Sequence, residues 1–442
     1  MLLSFALTNF RSFAARAVLD MQKRGFQRNL PKGEGWMEVT ERLAGLYGPN
    51  ASGKTTVVGA LGALSNAVRH SITTPGVGSF LRTPHMFHVK RPTEFEVEYV
   101  AQERRYLWTL VLDDLGVSEE RLETVAGTGH WRMLFHRTGD AVRFGKEIGI
   151  PRAGQEIIGQ FLRPWSLVLS AWEMVKEKGP HEGAVRWWWE KLQIFGSPGN
   201  PRLPGERDGQ LLTMLSNSEW TGMSEAVLRA ADVGLTGVEI REEEILPQLK
   251  EILEQSGVMG AEEGQRTKGM FSGEETAEMM KMLDFTHEGN GRSFTLREGD
   301  ESEGTRTWLN LAMQGVKALV EGNVLVVDEV DASLHPTLVR FFLSLFERES
   351  TNPDGAQLIY TAHDVASLGN AVGERLPVSA VWLVDKIEAE SELISLDEFS
   401  IRGSNNVEKK YLEGEFGALP SMGTDIDRAI EEIRYARKKK KG

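Results

Sequence analysis

The fold is decided by the stretch Gly48-Pro49-Asn50-Ala51-Ser52-Gly53-Lys54-Thr55. This stretch fits the pattern G-x-x-x-x-G-K-[ST], in which glycines let the backbone approach phosphate oxygens closely. The flanking sequence supplies the matching context, because an apolar strand is predicted over residues 42–47 and a helix over residues 57–69. The sequence therefore predicts a phosphate-binding loop between a strand and a helix.

Each residue type in this loop has a chemical reason to be there. Backbone N–H groups at the start of the following helix form a cradle for phosphate oxygens. Lys54 would place a positive charge on the β- and γ-phosphates, and Thr55 would offer its hydroxyl to Mg²⁺. We therefore expect ATP and Mg²⁺ as ligands, and the predicted nucleotide-binding residues of the loop are Gly48, Asn50, Ala51, Ser52, Gly53, Lys54, Thr55 and Thr56.

A pair of acidic residues, Asp328 and Glu329, follows the wholly apolar run Val324–Val327. Such a run is typical of a buried strand in a parallel sheet, and ligands bind at the carboxyl ends of these strands. Asp328 would hold Mg²⁺ together with Thr55, while Glu329 would act as general base toward the attacking water. The alternative is an acidic pair that only caps the next helix.

His363 comes just after a further apolar strand, predicted over Gln357–Thr361. A lone histidine is usually structural, but this position places a side chain where it can reach the γ-phosphate. We predict that His363 senses the γ-phosphate and that Lys54, Glu329 and His363 form the catalytic set.

Composition excludes several classes of protein. The chain has 442 residues, a net charge of −13 and no cysteine. It therefore has no disulfides, cysteine zinc sites or thiol catalysis, which fits a reducing, cytoplasmic setting. Neither a signal peptide nor a membrane span is predicted. The acidic balance means that nucleic acid could bind only at a local basic patch, such as residues 437–441, whose alternative is a solvated tail.

The sequence divides into four segments by pattern. Residues 1–150 are predicted to form an N-terminal lobe with a β-hairpin that turns at Gln102-Glu103, and residues 151–290 a mainly helical insertion. Residues 291–425 are predicted to form a second α/β lobe, and residues 426–442 a basic tail. Within the insertion, residues 257–275 are predicted to be a mobile loop. The tryptophans Trp165, Trp172, Trp187, Trp188 and Trp189 are predicted to be core, with a partner surface as the alternative.

The order of these motifs resembles that of ABC-type ATPases, and more narrowly the prokaryotic ABC-like AAA ATPases related to OLD proteins. These include the RloA type, which is paired with RloB in two-gene abortive-infection systems. The resemblance covers residues 1 to about 420. It is carried by the opening residues 9–13, the hairpin residues 92–97, the signature residues 301–305, Asp331 and the closing residues 411–420.

The resemblance implies roles for further residues. Ser302 and Gly304 resemble the signature residues that reach the γ-phosphate bound by a second subunit, and Asp331 resembles the D-loop aspartate. Arg11 resembles the basic residue near the nucleotide in SMC-type proteins; its alternative is a surface salt bridge. The signature Ser-Glu-Gly-Thr differs from the Leu-Ser-Gly-Gly-Gln signature of transporters, so we do not expect a transporter ATPase. The Q-loop glutamine is not assigned, because Gln102, which lies in the right general region, is predicted to be a hairpin turn residue.

Together these features predict an α/β P-loop NTPase of the ABC or SMC-head type, with a β-hairpin lobe and an inserted helical lobe. The resemblance implies hydrolysis of ATP to ADP and phosphate in a homodimer or higher homo-oligomer that sandwiches nucleotide. It also implies a sensor or scaffold in anti-phage defence, with a separately encoded effector that is a nuclease, Toprim-like or RloB-like. The alternative is a DNA repair or recombination ATPase of the RecF or SMC type.

Overall fold

The computed structural model describes residues 1–26, 31, 35–125, 129–196, 206–231, 234–244, 271–272, 279–401, 406–419 and 425–439. Within these residues lie seventeen strands: β1 Leu2–Thr8, β2 Ala17–Asp20, β3 Leu43–Tyr47, β4 Thr93–Ala101, β5 Arg104–Asp113, β6 Gly116–Val125, β7 Trp131–Thr138, β8 Ala141–Phe144, β9 Leu192–Phe195, β10 Leu235–Glu244, β11 Phe271–Ser272, β12 Met279–Gly289, β13 Arg292–Arg297, β14 Val324–Val327, β15 Gln357–Thr361, β16 Val381–Ile387 and β17 Glu390–Ser395.

The same residues contain eleven α-helices and several short helical turns. The α-helices are α1 Trp36–Val39, α2 Lys54–His70, α3 Arg152–Phe161, α4 Val168–Glu173, α5 Gly183–Arg186, α6 Glu206–Leu215, α7 Ser218–Ala230, α8 Glu303–Glu321, α9 Pro336–Glu347, α10 Val407–Leu412 and α11 Asp425–Lys439. No helix of the described residues is long and apolar enough to cross a membrane.

The strands form three sheets. A seven-stranded antiparallel sheet has the order β2-β1-β4-β5-β6-β7-β8, and a smaller antiparallel sheet is built from β10, β12, β11 and β13. The third sheet has the order β17-β16-β3-β15-β14-β9, in which only β17 is antiparallel to its neighbour. Because β3, β15 and β14 are adjacent and parallel, the loops that follow them meet at one edge of this sheet.

The six-stranded sheet separates two hydrophobic cores. Along β14, Val324 and Val326 face the core that includes α2 and the seven-stranded sheet, whereas Leu325 and Val327 face the core that includes α8 and α9. Successive side chains of a strand point to opposite faces, so a strand covered on both sides must be apolar at every position. This is why the run before Asp328 has no polar residue.

Local signals explain where the two helices of the second core begin and where α8 ends. Ser302 is the N-cap of α8 and accepts a hydrogen bond from the Thr305 N–H, and Gly322 ends the helix with φ 61°. His335 caps α9 in the same way, with Pro336 at the first helical position. Such caps satisfy N–H groups that have no partner inside the helix.

The predicted elements of the two α/β lobes are confirmed, including the strand before and the helix after the loop of residues 48–53 and the turn at Gln102 and Glu103. The predicted hairpin is part of a larger meander, because β4 to β8 pair in sequence. The helical prediction for the insertion is correct for α3 to α7 and wrong for Leu235–Glu244, Phe271–Ser272 and Met279–Gly289, which form β10, β11 and β12. In addition, β9 belongs to the six-stranded sheet, where it pairs with β14.

Trp172, Trp187 and Trp188 are core residues, as predicted, so the alternative of a partner surface is wrong for these three. Trp172, Trp187 and Trp188 are at most 1% exposed. Trp187 stacks on Tyr99 of β4 at a centroid distance of 4.5 Å. The partly buried Trp165 and Trp189 pack against the same core. These indoles join the segment 165–189 to the seven-stranded sheet and α2, and none of the three buried rings can anchor another protein.

Two further predictions concern the ends of segments. Most of the loop predicted at residues 257–275 lies outside the described residues; only Phe271 and Ser272 are described, and they pair with β12. The predicted basic tail is helical up to Lys439, as α11. Ile426, Ile430 and Tyr435 of this helix are exposed.

Candidate nucleotide-binding site

The P-loop joins the end of β3 to the start of α2 in a backbone shape that few residue types adopt. Gly48 has φ 152° and Gly53 has φ 116°, in the region that favours glycine. A Cβ added at Gly48 would lie 2.2 Å from the carbonyl oxygen of Val384, so no side chain fits there. The two glycines therefore fix the loop, and the 17-residue helix α2 points its N-terminus at the space the loop encloses.

The loop forms one wall of a cavity of about 500 Å³. Its lining includes every predicted loop residue except Gly48, and adds predicted residues from three other elements. The lining residues are Arg11, Ser12, Asn50, Ala51, Ser52, Gly53, Lys54, Thr55, Thr56, Glu329 and His363. Gly48 contributes its carbonyl oxygen, which accepts a hydrogen bond from Lys54. The fold thus brings the phosphate loop, the predicted base and the predicted γ-phosphate sensor together.

Lys54 places a positive charge at the P-loop. Its Nζ donates to the carbonyl oxygens of Gly48 (2.7 Å) and Pro49 (3.1 Å). Burial lowers the pKa of Lys54, while the carboxylates of Asp331, Asp328 and Glu329 act in the opposite direction. The cation is therefore held among carboxylates, at a place where phosphate oxygens could replace the carbonyl partners.

Asp328 and Thr55 form a pair of hard oxygen ligands suited to Mg²⁺. The Thr55 hydroxyl donates to Asp328 Oδ1 at 3.1 Å, so the two predicted metal ligands are adjacent. Burial raises the pKa of Asp328, and hydrogen bonds from Thr361 and Thr55 oppose that rise. The described residues contain no cluster of three or more His, Asp or Glu side chains that could hold a metal. The pair therefore fits Mg²⁺ of the kind that takes its other ligands from phosphate and water.

Glu329 is held in a strained backbone conformation. Its φ is 54°, which is uncommon for a residue other than glycine and costs on the order of 1–3 kcal/mol. Its side chain lines the cavity, where Oε1 lies 3.6 Å from His363 Nε2. The side chains of Glu329 and His363 are 46% and 44% exposed, so water can reach both.

Thr361, at the end of β15, was not predicted as a site residue. It is fully buried, and its hydroxyl donates to Asp328 Oδ1 at 2.7 Å while accepting from the Glu329 N–H at 2.7 Å. One hydroxyl therefore fixes both acidic residues. Its position two residues before His363 is a usable sequence signal, but the contact depends on β14 and β15 being neighbours.

Replacing Thr361 by valine is expected to lower the ATPase rate about 10–100-fold, the usual effect of removing a group that orients a ligand. Valine has nearly the same shape, so the core should survive, but Asp328 loses a donor and the Glu329 N–H loses its acceptor. Rates and ATP affinity are measured for Thr361→Val and for Thr361→Ser, which keeps the hydroxyl. An unchanged rate in the valine variant would contradict this role.

Two serines add buried polar groups: Ser52, which belongs to the predicted loop residues, and Ser12, which was not predicted as a site residue. Ser12 Oγ and Ser52 Oγ are buried without a hydrogen-bond partner in the part of the chain that the structure describes. A third, Ser391 of β17, donates to the carbonyl oxygen of Ser52. Buried hydroxyls of this kind ordinarily have partners, and phosphate oxygens in the adjacent cavity would provide them. Ser12 follows Arg11 in the opening motif of residues 9–13, and its place in that motif is the sequence signal that could have identified it.

Arg11 lines the cavity from the turn after β1. It has φ 51°, and its backbone N–H donates to the carbonyl oxygen of Thr83 at 2.7 Å. Its guanidinium lies 5.3 Å from the ring centroid of Phe10. No ion pair of Arg11 occurs among the described residues, so the alternative of a surface salt bridge finds no support there.

Asp331 contacts its own chain. Its Oδ2 accepts hydrogen bonds from the backbone N–H groups of His363 (2.7 Å) and Asp364 (2.6 Å). Asp331 thus fixes the turn that carries His363. Its predicted place at a subunit interface stays a prediction.

Ser302 and Gly304 do not line the cavity of their own chain. They lie at the N-terminus of α8, where a Cβ on Gly304 would be 2.8 Å from the carbonyl oxygen of Ser333. The preceding Glu301 is buried: one oxygen accepts from the Ser302 N–H at 2.7 Å, and the other lies 2.7 Å from Nε2 of His287 on β12. Glu301 and His287 therefore position the signature, and sequence reasoning found neither role.

A P-loop after β3, an acidic pair after β14 and a histidine after β15 define an α/β P-loop ATPase of the ABC type. The chain belongs to the family described as AAA domain, putative AbiEii toxin, type IV TA system, whose model matches residues 43–369. Searching the curated proteins gave no match.

The chain is also similar to three solved structures, all at low sequence identity. An SMC head bound to the C-winged helix domain of ScpA is 11% identical with a TM-score of 0.40, covering 90% of this chain and 98% of that one. The SMC head domain from Thermotoga maritima is 13% identical with a TM-score of 0.38, covering 89% and 98%. The recombination mediator RecF with ATP is 13% identical with a TM-score of 0.32, covering 89% and 97%.

Proposed function

We propose that this chain binds ATP with Mg²⁺ and hydrolyses it to ADP and phosphate at composite sites between two copies. One observation carries the proposal: the cavity assembles Lys54, Glu329 and His363, yet the signature at Ser302 and Gly304 lies outside it. A hydroxyl and backbone N–H groups at a helix N-terminus are suited to an anion. A second copy, or a neighbour in a higher homo-oligomer, would bring its signature to the phosphates.

Each residue of the cavity then has a chemical task. The P-loop N–H groups and Lys54 bind the phosphates, and Glu329 accepts the proton of the attacking water. Asp331 holds the backbone of His363, and the His363 side chain would contact the γ-phosphate as its sensor. Mg²⁺ held by Thr55 and Asp328 would supply charge neutralisation for the phosphate oxygens. Glu329 and His363 are half-exposed in one chain, so closure by the partner would exclude bulk water from them.

Mixing two inactive variants tests the composite site. Lys54→Ala damages the P-loop, and Ser302→Arg damages the signature by filling the anion position. In a mixed dimer, one site contains both lesions and the other contains neither, so ATPase activity should return to a fraction of wild type. The control mixture is Lys54→Ala with Glu329→Gln, in which every site has a lesion and no activity should return. Equal activity of the two mixtures would overturn the composite site.

For the biological role, we propose the sensor or scaffold ATPase of a two-gene anti-phage system. The family description names a putative toxin of a type IV toxin–antitoxin system, which supports a role in defence. The motif resemblance to OLD-related and RloA-type ATPases supports control of a separately encoded effector that is a nuclease, Toprim-like or RloB-like. The docking surface for that effector cannot be the three buried tryptophans.

The second candidate is a DNA repair or recombination ATPase of the RecF or SMC type. The observation in its favour is the exposed basic end of α11, which carries Arg434 and Arg437. ATPase rates with and without DNA ends, and co-purification with the product of the neighbouring gene, distinguish the two. Stimulation by DNA without a co-purifying partner would support repair; a stable complex with the neighbour and indifference to DNA would support defence.

A further inference from the structure

An exposed apolar segment lies next to a residue that lines the nucleotide cavity. Phe80, Met86 and Phe87 are 70%, 81% and 72% exposed, and Val89 is 46% exposed. These four residues, called here the rim patch, flank Thr83, whose carbonyl oxygen binds the backbone N–H of the cavity residue Arg11. Large apolar side chains exposed together on one short segment are typical of a surface that a partner covers.

The rim patch is held rigidly despite its exposure. Asn9 is 1% exposed, and its Nδ2 donates to the carbonyl oxygens of His88, Arg91 and Pro92. Its Oδ1 accepts from the His85 N–H at 3.0 Å. A surface held in one conformation loses little entropy when it binds. The segment is therefore preorganised for a contact.

A matching surface surrounds the signature. Phe294 of β13 is 54% exposed and stacks on His287, the residue that binds Glu301. Residues 298–303 contain no lysine or arginine, and two of their four carboxylates, Asp300 and Glu303, are exposed, between Arg297 and Arg306. Phe294 and these residues are called here the signature face. Beside the rim patch the charge has the opposite sign, because Lys90 and Arg91 are exposed and form no ion pair with the described residues.

We propose that the rim patch of one copy covers the signature face of a second copy in the ATP-bound dimer. The inference rests on the proposed function, because a composite site brings the partner's α8 N-terminus to the P-loop cavity. The surface beside the cavity of one copy then meets the surface beside the signature of the other copy. Phe87 and Met86 would pack near the partner's Phe294, and Lys90 and Arg91 would face its Asp300 and Glu303. A two-fold axis repeats the contact at the second site.

The test measures dimerisation of the Glu329→Gln protein with ATP and Mg²⁺, by sedimentation or light scattering over a range of concentrations. Adding Phe87→Ser should weaken the dimer about 10-fold or more, as expected for an aromatic anchor. Val320→Ser is the matched control, because Val320 is 60% exposed at the other end of α8 and should have no effect. Phe87 is largely exposed, so the monomer should keep its melting temperature.

Charge reversal gives the second measurement. Lys90→Glu with Arg91→Glu should weaken the ATP-dependent dimer, and adding Asp300→Lys with Glu303→Lys in the same chain should restore it. A dimer that is unaffected by Phe87→Ser, or that the reversed pair does not restore, would overturn this inference and leave the composite site intact. If the Glu329→Gln protein forms no dimer with ATP, both proposals fail. An unchanged dimer combined with loss of the co-purifying effector would assign the patch to the effector.

Discussion

Glu329→Gln is expected to lower the ATPase rate about 10²–10⁴-fold, the usual effect of removing a general base. Glutamine keeps the size of the side chain but cannot accept the proton of the attacking water. The backbone N–H of Glu329 should keep its bond to Thr361, so the strained turn and the Mg²⁺ ligand Asp328 stay in place. ATP should therefore bind with nearly unchanged affinity, and ATP-bound dimers should accumulate.

Single-turnover hydrolysis and equilibrium ATP binding are measured on the same preparation. Glu349→Gln is the control, because Glu349 is an exposed glutamate after α9 and touches no part of the cavity. A Glu329→Gln protein that hydrolyses ATP as fast as wild type would show that the base lies elsewhere. A loss of ATP binding equal to the loss of rate would show that Glu329 acts in binding rather than in proton transfer.

Lys54→Ala is expected to abolish ATP binding at ordinary concentrations. Removing one partner of a buried charge pair costs about 2–5 kcal/mol, which is roughly 30- to 4000-fold in Kd. The P-loop N–H groups remain, but Lys54 is the cation held inside the loop by Gly48 and Pro49. Binding of a labelled ATP analogue measures the effect, and Lys146→Ala, at an exposed lysine, is the control.

The fold should tolerate the loss of Lys54. Burial places the pKa of Lys54 in the folded protein below its value in the unfolded chain, so the folded state binds this proton less tightly. The charged amine therefore costs stability at neutral pH, and Lys54→Ala should keep or raise the melting temperature without nucleotide. A protein that loses ATP binding but also unfolds would not support the assignment; wild-type affinity in a folded variant would contradict it.

Much of the site could be predicted because its motifs are local. The P-loop needs glycines at fixed spacing, a lysine and a hydroxyl, and all of these lie within residues 48–55. Asp328 and Glu329 follow a strand that is apolar on both faces, and that pattern marks the carboxyl edge of a buried sheet. The helical prediction failed at β10 and β12, because these antiparallel strands take their stability from cross-strand pairs that no local pattern records.

The sequence by itself determined the phosphate loop, the acidic pair and the apolar strands that carry them, because each depends on residues that are neighbours along the chain. Only the tertiary structure decided that Thr361 fixes Asp328 and Glu329, that His287 positions the signature through Glu301, and that Trp172, Trp187 and Trp188 form core rather than a partner surface. These facts depend on which strands are adjacent and which faces are covered. Pairing between distant segments sets both, through burial and hydrogen bonds that form only when the whole chain folds.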